Sequence, residues 1–567
     1  MATPAPAQPW LDSYADGVPR EIEVPTGSLS DLISGSVAEF PDKVALEFFT
    51  REWTYAELGD QISRAAEGLR KLGVRKGDTV ALILPNCPQH VVAFYAVLRL
   101  GAIVIEHNPL YTPRELRHQF EDHGATVVIT WDKLVDEVQS FPKDLAVEHI
   151  ISIDMTRAMP FKLRFLLRLP ISKARTQRAA LTQKVSGTTS WEELLQNEPL
   201  AASTPAPTVD DIAVIQYTSG TTGHPKGAVL THLNLGVNAA QARAWVPTIT
   251  RGDASVYAVL PLFHAYGLTL CLTFAMSMGA RLVLFPRFDP DLVLPVIKKR
   301  PPTFLPAVPP IYERLTKAAK EKGVSLEGIE IAISGAMPLS QSVITPWEQL
   351  TKGYLVEGYG LSETSPVLMA NPVAENRRQG TVGLPLPGTE IRVVDPDNPT
   401  QDVAPGERGE LLVRGPQVFS GYWKKPEATA EVFVDGWFRT GDIVTVDEDG
   451  FVTIVDRIKD LVITGGFNVS PSEVEETLRG FEGVADVAIV GLPSERNGEE
   501  VVAVVVAAPG QTVDAEALRA FARETLSAYK VPKQVVVLDE LPKSLIGKVL
   551  RKKVRDGLIE SGAVATE

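Results

Sequence analysis

Apolar and polar positions follow two alternating rhythms along the first part of the chain. Segments patterned as helices, such as TYAELGDQISRAAEGLRKLG (54–73), alternate with short apolar runs such as TVALILP (79–85) and ATVVIT (125–130). That alternation predicts a mostly parallel sheet covered by helices. It resumes with DIAVIQY (211–217), ARLVLFP (280–286) and IEIAISG (329–335). Beyond residue 380 the texture changes to short strands with Gly and Pro turns (TEIRVVDPDN, GERGELLVRG, GFVTIVDR), which predicts a β-rich subdomain over 380–456. A compact unit of mixed strands and helices follows over 457–567. Within it ADVAIVGLPS and EEVVAVVVAAPG read as strands, and VDAEALRAFARETL reads as a helix opened by Asp514. The expected fold class is α/β. A large N-terminal domain (1–456) of helix-covered, mostly parallel sheets carries the β-rich subdomain, and a small α+β C-terminal domain completes the chain.

Composition narrows the function without naming it. A length of 567 residues exceeds what one compact core organises, in agreement with at least two domains. A net charge of −14 argues against nucleic acid as a partner, because phosphate backbones require a basic face. The two cysteines, Cys87 and Cys271, exclude a disulfide framework and a Cys-rich zinc site, and they fit a reducing compartment. No signal-peptide pattern is evident at the N-terminus, so the expected location is cytoplasmic. The stretch Val256 to Ala280 has no formal charge and is long enough to span a bilayer, but Pro261, His264, Gly267, Ser277 and Gly279 interrupt it. A buried strand, a loop and a buried helix are expected there. Between Asp154 and Glu192 lie eight Lys or Arg and no acid, around the apolar core FKLRFLLRL (161–169). Two readings stand for this segment (157–184). It suits peripheral contact with an anionic membrane on its inner face, or it is a surface helix tucking its leucines against the body.

The densest chemical signal is TSGTTGHPKG, directly after DIAVIQY. Thr218, Ser219, Gly220, Thr221, Thr222 and Gly223 supply hydroxyls and flexible backbone that can wrap a polyphosphate, and Lys226 adds a mobile cation. The spacing is not that of a Walker A loop, which disfavours a P-loop phosphotransferase. In EGYGLSET, Tyr359 offers a flat ring for a base and Glu363 a carboxylate for Mg²⁺, which takes one or two carboxylates beside phosphate oxygens. Lys548, in GKVLRK, lies close to the end of the sequence, where a lysine read alone is an ordinary solvated cation.

These strings, with WTYAEL, NPLYTPREL, LPLFHAYG, SGAMPLS, FRTGD, DRIKDLVITGGFNVSPSEVE and PKSLIGKVLRK in order, make the chain similar to the adenylate-forming superfamily, which includes acyl-CoA synthetases, adenylation domains and luciferases. The resemblance covers nearly the whole chain. It implies ATP or AMP contacts for the 218–223 loop, Lys226, Gly335, Ala336, Glu357, Gly358, Tyr359, Gly360 and Ser362, with Ser362 standing where many members have Thr. By the same resemblance Asp442 and Arg457 bind the ribose, Glu363 holds Mg²⁺, and His264 lies near the acyl carboxylate. Lys548 bridges the reacting anions, and Lys226 and His264 join it as catalytic residues. The C-terminal domain is implied to be mobile, with Lys459 at its hinge and Gly465, Gly466 and Phe467 facing CoA.

Within the superfamily the chain looks most similar to medium- and long-chain fatty-acid:CoA ligases. The implied reaction converts a carboxylate and ATP to acyl-AMP and pyrophosphate, and CoA then yields acyl-CoA and AMP. Fatty acid, ATP and CoA are the implied partners, and the uncharged run at 256–280 is expected to wall an apolar acyl pocket. A 4-coumarate-type aryl:CoA ligase is the enzyme alternative. A carrier-loading acyl-AMP ligase is disfavoured by the GGFNVSPSEVE loop. A non-catalytic acyl or nucleotide binder is the alternative of a different class, against which Lys548 and Glu363 are both present. Chain length and oligomeric state are not encoded in any motif.

Overall fold

The structure is a computed structural model that describes residues 8–218, 225–464, 467–494, 498–544 and 547–561, the side chains at 459, 467, 468 and 498 excepted. The fold falls into two compact units. The larger comprises Trp10–Glu390 and Arg414–Glu431, and the other is built mainly from Ile391–Val413 and Val432–Glu567.

The described residues of the larger unit form two sheets. In one, Tyr354–Gly360, Ile331–Ser334, Phe304–Ala307, Ser255–Ala258, Arg281–Leu284 and Val44–Phe48 lie side by side in parallel. Antiparallel strands continue it at both edges. In the other, Thr189–Ser190, His149–Ile153, Val127–Trp131, Thr79–Ile83, Ile103–His107 and Ile212–Thr218 run parallel, and Lys226–Thr231 turns back antiparallel. Covering helices begin where the sequence signals them. Thr54 caps Tyr55–Lys71 in a reciprocal box with Glu57, and Thr112 does the same for Pro113–His123 with Glu115. The expected α/β class of parallel sheets and helices is borne out.

The uncharged run resolves as anticipated. Strand Ser255–Ala258 leads through a loop into buried helical turns, Ala265–Gly267, Leu268–Thr273 and Phe274–Ser277, of which the middle one is wound as a π-helix. Among the described residues no helix is long and apolar enough to cross a membrane. The basic segment behaves differently from one of its two readings. Helix Phe161–Leu167 buries none of its residues, and Ser172–Leu181 buries only Ala174. The leucines at 163 and 166 are therefore not tucked against the body.

In the other unit a largely antiparallel sheet runs from Glu390–Asp395 to Val452–Arg457, and a second sheet centres on Val484–Ser494 paired with Gly498–Ala507. The valine run is unbroken because both faces are covered. Val501, Ala503 and Val505 pack with Val474, Leu478 and Leu518, whereas Val502 and Val504 pack with Leu541, Val554 and Leu558. Asp514 caps Ala515–Thr525 by accepting the Ala517 N–H at 2.7 Å.

Candidate functional site

The glycine- and threonine-rich loop is bounded by a hydrogen-bonded strand pair. Thr218 ends one strand, Lys226 begins the next, and the two are register partners, with the Thr218 hydroxyl donating to the Lys226 carbonyl at 3.3 Å. Ser219, Gly220, Thr221, Thr222 and Gly223 lie outside the described residues.

The Lys226 ammonium sits over the ring of Tyr422, 5.1 Å from its centroid. The Tyr422 hydroxyl donates to Glu363 Oε1 at 2.8 Å. Burial, reinforced by the Glu363 charge, pushes the phenol well above its ordinary value, so it remains a donor at neutral pH. The fold thus gathers the loop lysine and the motif carboxylate around one aromatic ring. Sequence reading missed Tyr422 because it lies 59 positions from Glu363 in a plain GYWKKPEAT stretch.

Glu357, Gly358, Tyr359 and Gly360 belong to strand Tyr354–Gly360, and Ser362 and Glu363 to the short 3-10 turn Ser362–Thr364 that follows. Gly360 must be glycine, because a Cβ there would stand 1.8 Å from the Pro366 carbonyl oxygen. Burial pushes the Glu357 carboxyl up to about 8, opposed by the hydrogen bond it accepts from Leu339 N–H. Glu357 pairs across the sheet with Ser334, and Gly335 and Ala336 follow directly. The chain turns sharply at Ala336, whose φ of 66° lies in the left-handed region.

Tyr266 ties a third segment to this edge. Its hydroxyl donates to the Ile333 carbonyl at 2.7 Å, and its ring lies where a Cβ on Gly335 would meet it at 3.1 Å. Two residues earlier, His264 caps the helical turn by accepting the Tyr266 N–H through Nδ1. The ends of neighbouring parallel strands therefore bring His264, Gly335, Ala336 and Glu357 to one region, the usual place for ligands on an open α/β sheet.

In the other unit Asp442 and Arg457 are cross-strand partners joined by an ion pair of 2.7 Å, with the carboxylate almost fully buried. Lys459 follows in the turn Ile458–Asp460, and its side chain lies outside the described residues. So do Gly465, Gly466 and the side chain of Phe467. Lys548 sits in a tight loop closed by Ser544 N–H to Lys548 carbonyl at 2.7 Å and by Lys548 N–H to Ser544 Oγ at 3.1 Å. Three residues on, Arg551 forks onto Glu475 and reaches Asp460 at 3.0 Å, tying the loop's exit to the turn that carries Lys459.

Among the described residues no cluster of three or more His, Cys, Asp or Glu is placed to hold a metal. A lone carboxylate with one oxygen already engaged by a phenol fits a cation brought in on phosphate oxygens, and does not fit an all-protein metal cage.

Comparison with known proteins shows the family of the chain. Residues 34–423 match the AMP-binding enzyme family and residues 473–548 its C-terminal domain. The chain is 39% identical over 551 residues to a long-chain-fatty-acid–CoA ligase of Bacillus subtilis (strain 168), covering 96% of this chain and 97% of that relative. It is 35% identical over 504 residues to a feruloyl-CoA synthase of an Amycolatopsis species, covering 88% of this chain and 93% of the relative. Among solved structures, ATP-bound MatB from Rhodopseudomonas palustris is similar with a TM-score of 0.80 and 31% identity, over 93% of this chain and 99% of that one. The chain therefore belongs to the AMP-binding enzyme family, the adenylate-forming superfamily that includes the acyl-CoA synthetases.

Proposed function

We propose that the chain is an ATP-dependent fatty-acid:CoA ligase acting on medium- to long-chain acids. A fatty carboxylate oxygen attacks the α-phosphorus of ATP, the bond to the β-phosphate breaks, and pyrophosphate leaves. The CoA sulfur then attacks the acyl carbon of the acyl-adenylate, the thiol proton is released, and AMP departs. The likeness along nearly the full length to a long-chain-fatty-acid–CoA ligase carries this reading. The likeness to a feruloyl-CoA synthase keeps an aryl:CoA ligase as the second.

In this reading Lys226 and the loop at 218–223 receive the polyphosphate, and Tyr359, Gly335 and Ala336 frame the adenosine, with Glu357, Gly358, Gly360 and Ser362 along the same edge. Asp442 accepts from the ribose hydroxyls beside Arg457. Lys548 offsets the repulsion between the carboxylate and the α-phosphate as they meet. His264 orients the acyl carboxylate, Lys459 serves as hinge, and Gly465, Gly466 and Phe467 serve CoA. Glu363 holds Mg²⁺, which when bound supplies charge neutralisation on the phosphates.

The segment at 157–184 fits contact with an anionic membrane. Five of the eleven large apolar side chains exposed among the described residues are Phe161, Leu163, Phe165, Leu166 and Ile171. They stand among eight cations on a chain of net charge −14, so anionic headgroups are the complementary surface. Replacing Phe161, Phe165 and Leu166 by Ser is expected to lower sedimentation with phosphatidylglycerol-rich vesicles, and undiminished binding sinks the membrane contact.

Pyrophosphate release across acetate, octanoate, palmitate, oleate and 4-coumarate, with and without CoA, tests the reaction. Preference for the longer fatty acids, with AMP and a thioester as products, is the expected result. Preference for coumarate overturns the substrate assignment, and silence with every acid from folded, ATP-binding protein overturns the enzyme. Lys548→Ala should suppress adenylation yet leave pre-made acyl-adenylate competent for thioester formation. Equal loss of both half-reactions contradicts the lysine's role.

A further inference from the structure

We propose that Tyr422 is a positioning residue of the nucleotide site, whose hydroxyl fixes the Glu363 carboxylate while its ring face holds the Lys226 ammonium. The inference rests on the roles proposed above for Glu363 and Lys226. It adds a reason why the two charges remain available instead of neutralising each other.

Three distant segments meet at this ring. Lys226 opens strand Lys226–Thr231, Glu363 lies in the turn Ser362–Thr364, and Tyr422 lies in an irregular stretch between Phe419 and Trp423. That stretch is pinned on every side. Phe419 N–H donates to the Glu363 carbonyl at 2.8 Å, Val229 N–H to the Gly421 carbonyl at 3.0 Å, and Trp423 N–H to the Gly227 carbonyl at 2.8 Å. Tyr422 N–H donates to Thr429 Oγ1 at 2.9 Å, and the Phe419 ring meets the Tyr422 ring edge-on at 5.0 Å. The phenol is therefore held by main-chain bonds to the same two segments whose side chains it touches.

Among the described residues neither Lys226 nor Glu363 forms an ion pair. Tyr422 supplies each with a partner that costs it no charge. The ammonium has a ring face instead of a carboxylate, and Glu363 Oε1 has a neutral donor that leaves Oε2 for a cation. A polyphosphate carrying Mg²⁺ needs both charges at once, a free cation for its oxygens and a carboxylate for the metal.

ATP binding to the full chain, measured calorimetrically in EDTA and across graded Mg²⁺, tests this without turnover. Tyr422→Phe keeps the ring and removes the hydroxyl. Its affinity for metal-free ATP should match the parent, while the affinity gained on adding Mg²⁺ falls about tenfold, or about 1.4 kcal/mol. Tyr422→Leu should also weaken metal-free ATP binding, because Lys226 loses its ring. Glu363→Gln is the reference and should lose the Mg²⁺ gain. If Glu363→Gln loses that gain and Tyr422→Phe keeps it whole, Tyr422 does not position Glu363 and the proposal falls. If Tyr422→Phe weakens both affinities equally along with thermal stability, the residue only packs the loop, and the proposal falls. If Glu363→Gln itself keeps the gain, the metal role of Glu363 fails first and takes the inference with it.

Discussion

Arg551→Met should loosen the unit that carries Lys548 by about 3 kcal/mol. Arg551 donates Nε to Glu475 Oε1 at 3.0 Å and Nη2 to Oε2 at 2.8 Å, a two-pronged pair, and Nη1 to Asp460 at 3.0 Å. The Glu475 side chain is only 6% exposed, so its charge cannot be handed to water once the guanidinium is gone. Removing one partner of a buried pair costs about 3–5 kcal/mol. The lower end applies here because Glu475 still accepts the Ile489 N–H at 2.9 Å and retains a long contact to Arg479 at 3.4 Å. Asp460, more exposed, adds about 1 kcal/mol at most. The assay is a double-mutant cycle of Arg551→Met and Glu475→Gln, read by calorimetric unfolding and by hydrogen exchange at the Ile489 amide. The expected coupling is about 2–3 kcal/mol, with faster exchange at Ile489 in the single Arg551 variant. A coupling below about 0.5 kcal/mol would mean that the pair behaves as a solvated surface pair, and would refute the reasoning.

Three further outcomes are expected. Gly360→Ala must push the Pro366 carbonyl aside, because the new Cβ would stand 1.8 Å from it. Stabilisation by Mg-ATP in a thermal scan should shrink, and an unchanged shift contradicts the tight turn. Burial lowers His107 and His232 to about 4. Both therefore stay neutral in the fold while the unfolded chain protonates near pH 6.5, so their contribution to stability is intact above that value. It is lost as pH falls toward 4, by up to about 1.4 kcal/mol per pH unit for each. An NMR titration of histidine-labelled protein in which either ring titrates near 6.5 would exclude this. Asp514→Ala removes the cap of Ala515–Thr525 and should cost about 1 kcal/mol, checked by denaturant unfolding.

Local features were legible in the chain where one short-range cause dominates. Asp514 ahead of its helix marks a start through a bond made within three residues and appears as read, and Thr54 with Glu57 opens the helical pattern at 54–73 by the same short-range means. The uncharged run was recognisable as interior because Pro261, Gly267 and Gly279 break its period. The site was legible as motifs: Glu357 to Glu363 lie on one strand and its turn, and Thr218 and Lys226 flank one loop. The basic segment was not decided, since periodicity cannot tell whether a leucine on a short helix meets the body or solvent. Leu166 meets solvent.

By itself the sequence determined the α/β alternation of its elements and the motif strings that place the chain in its family, because these depend on spacing along one chain. Only the tertiary structure decided which groups share a neighbourhood. Strand Arg281–Leu284 lies between Ser255–Ala258 and Val44–Phe48, and Tyr422 stands between Lys226 and Glu363. A hydrogen bond or a ring contact depends on a few ångströms of space, and no local period records the path by which distant segments close that distance.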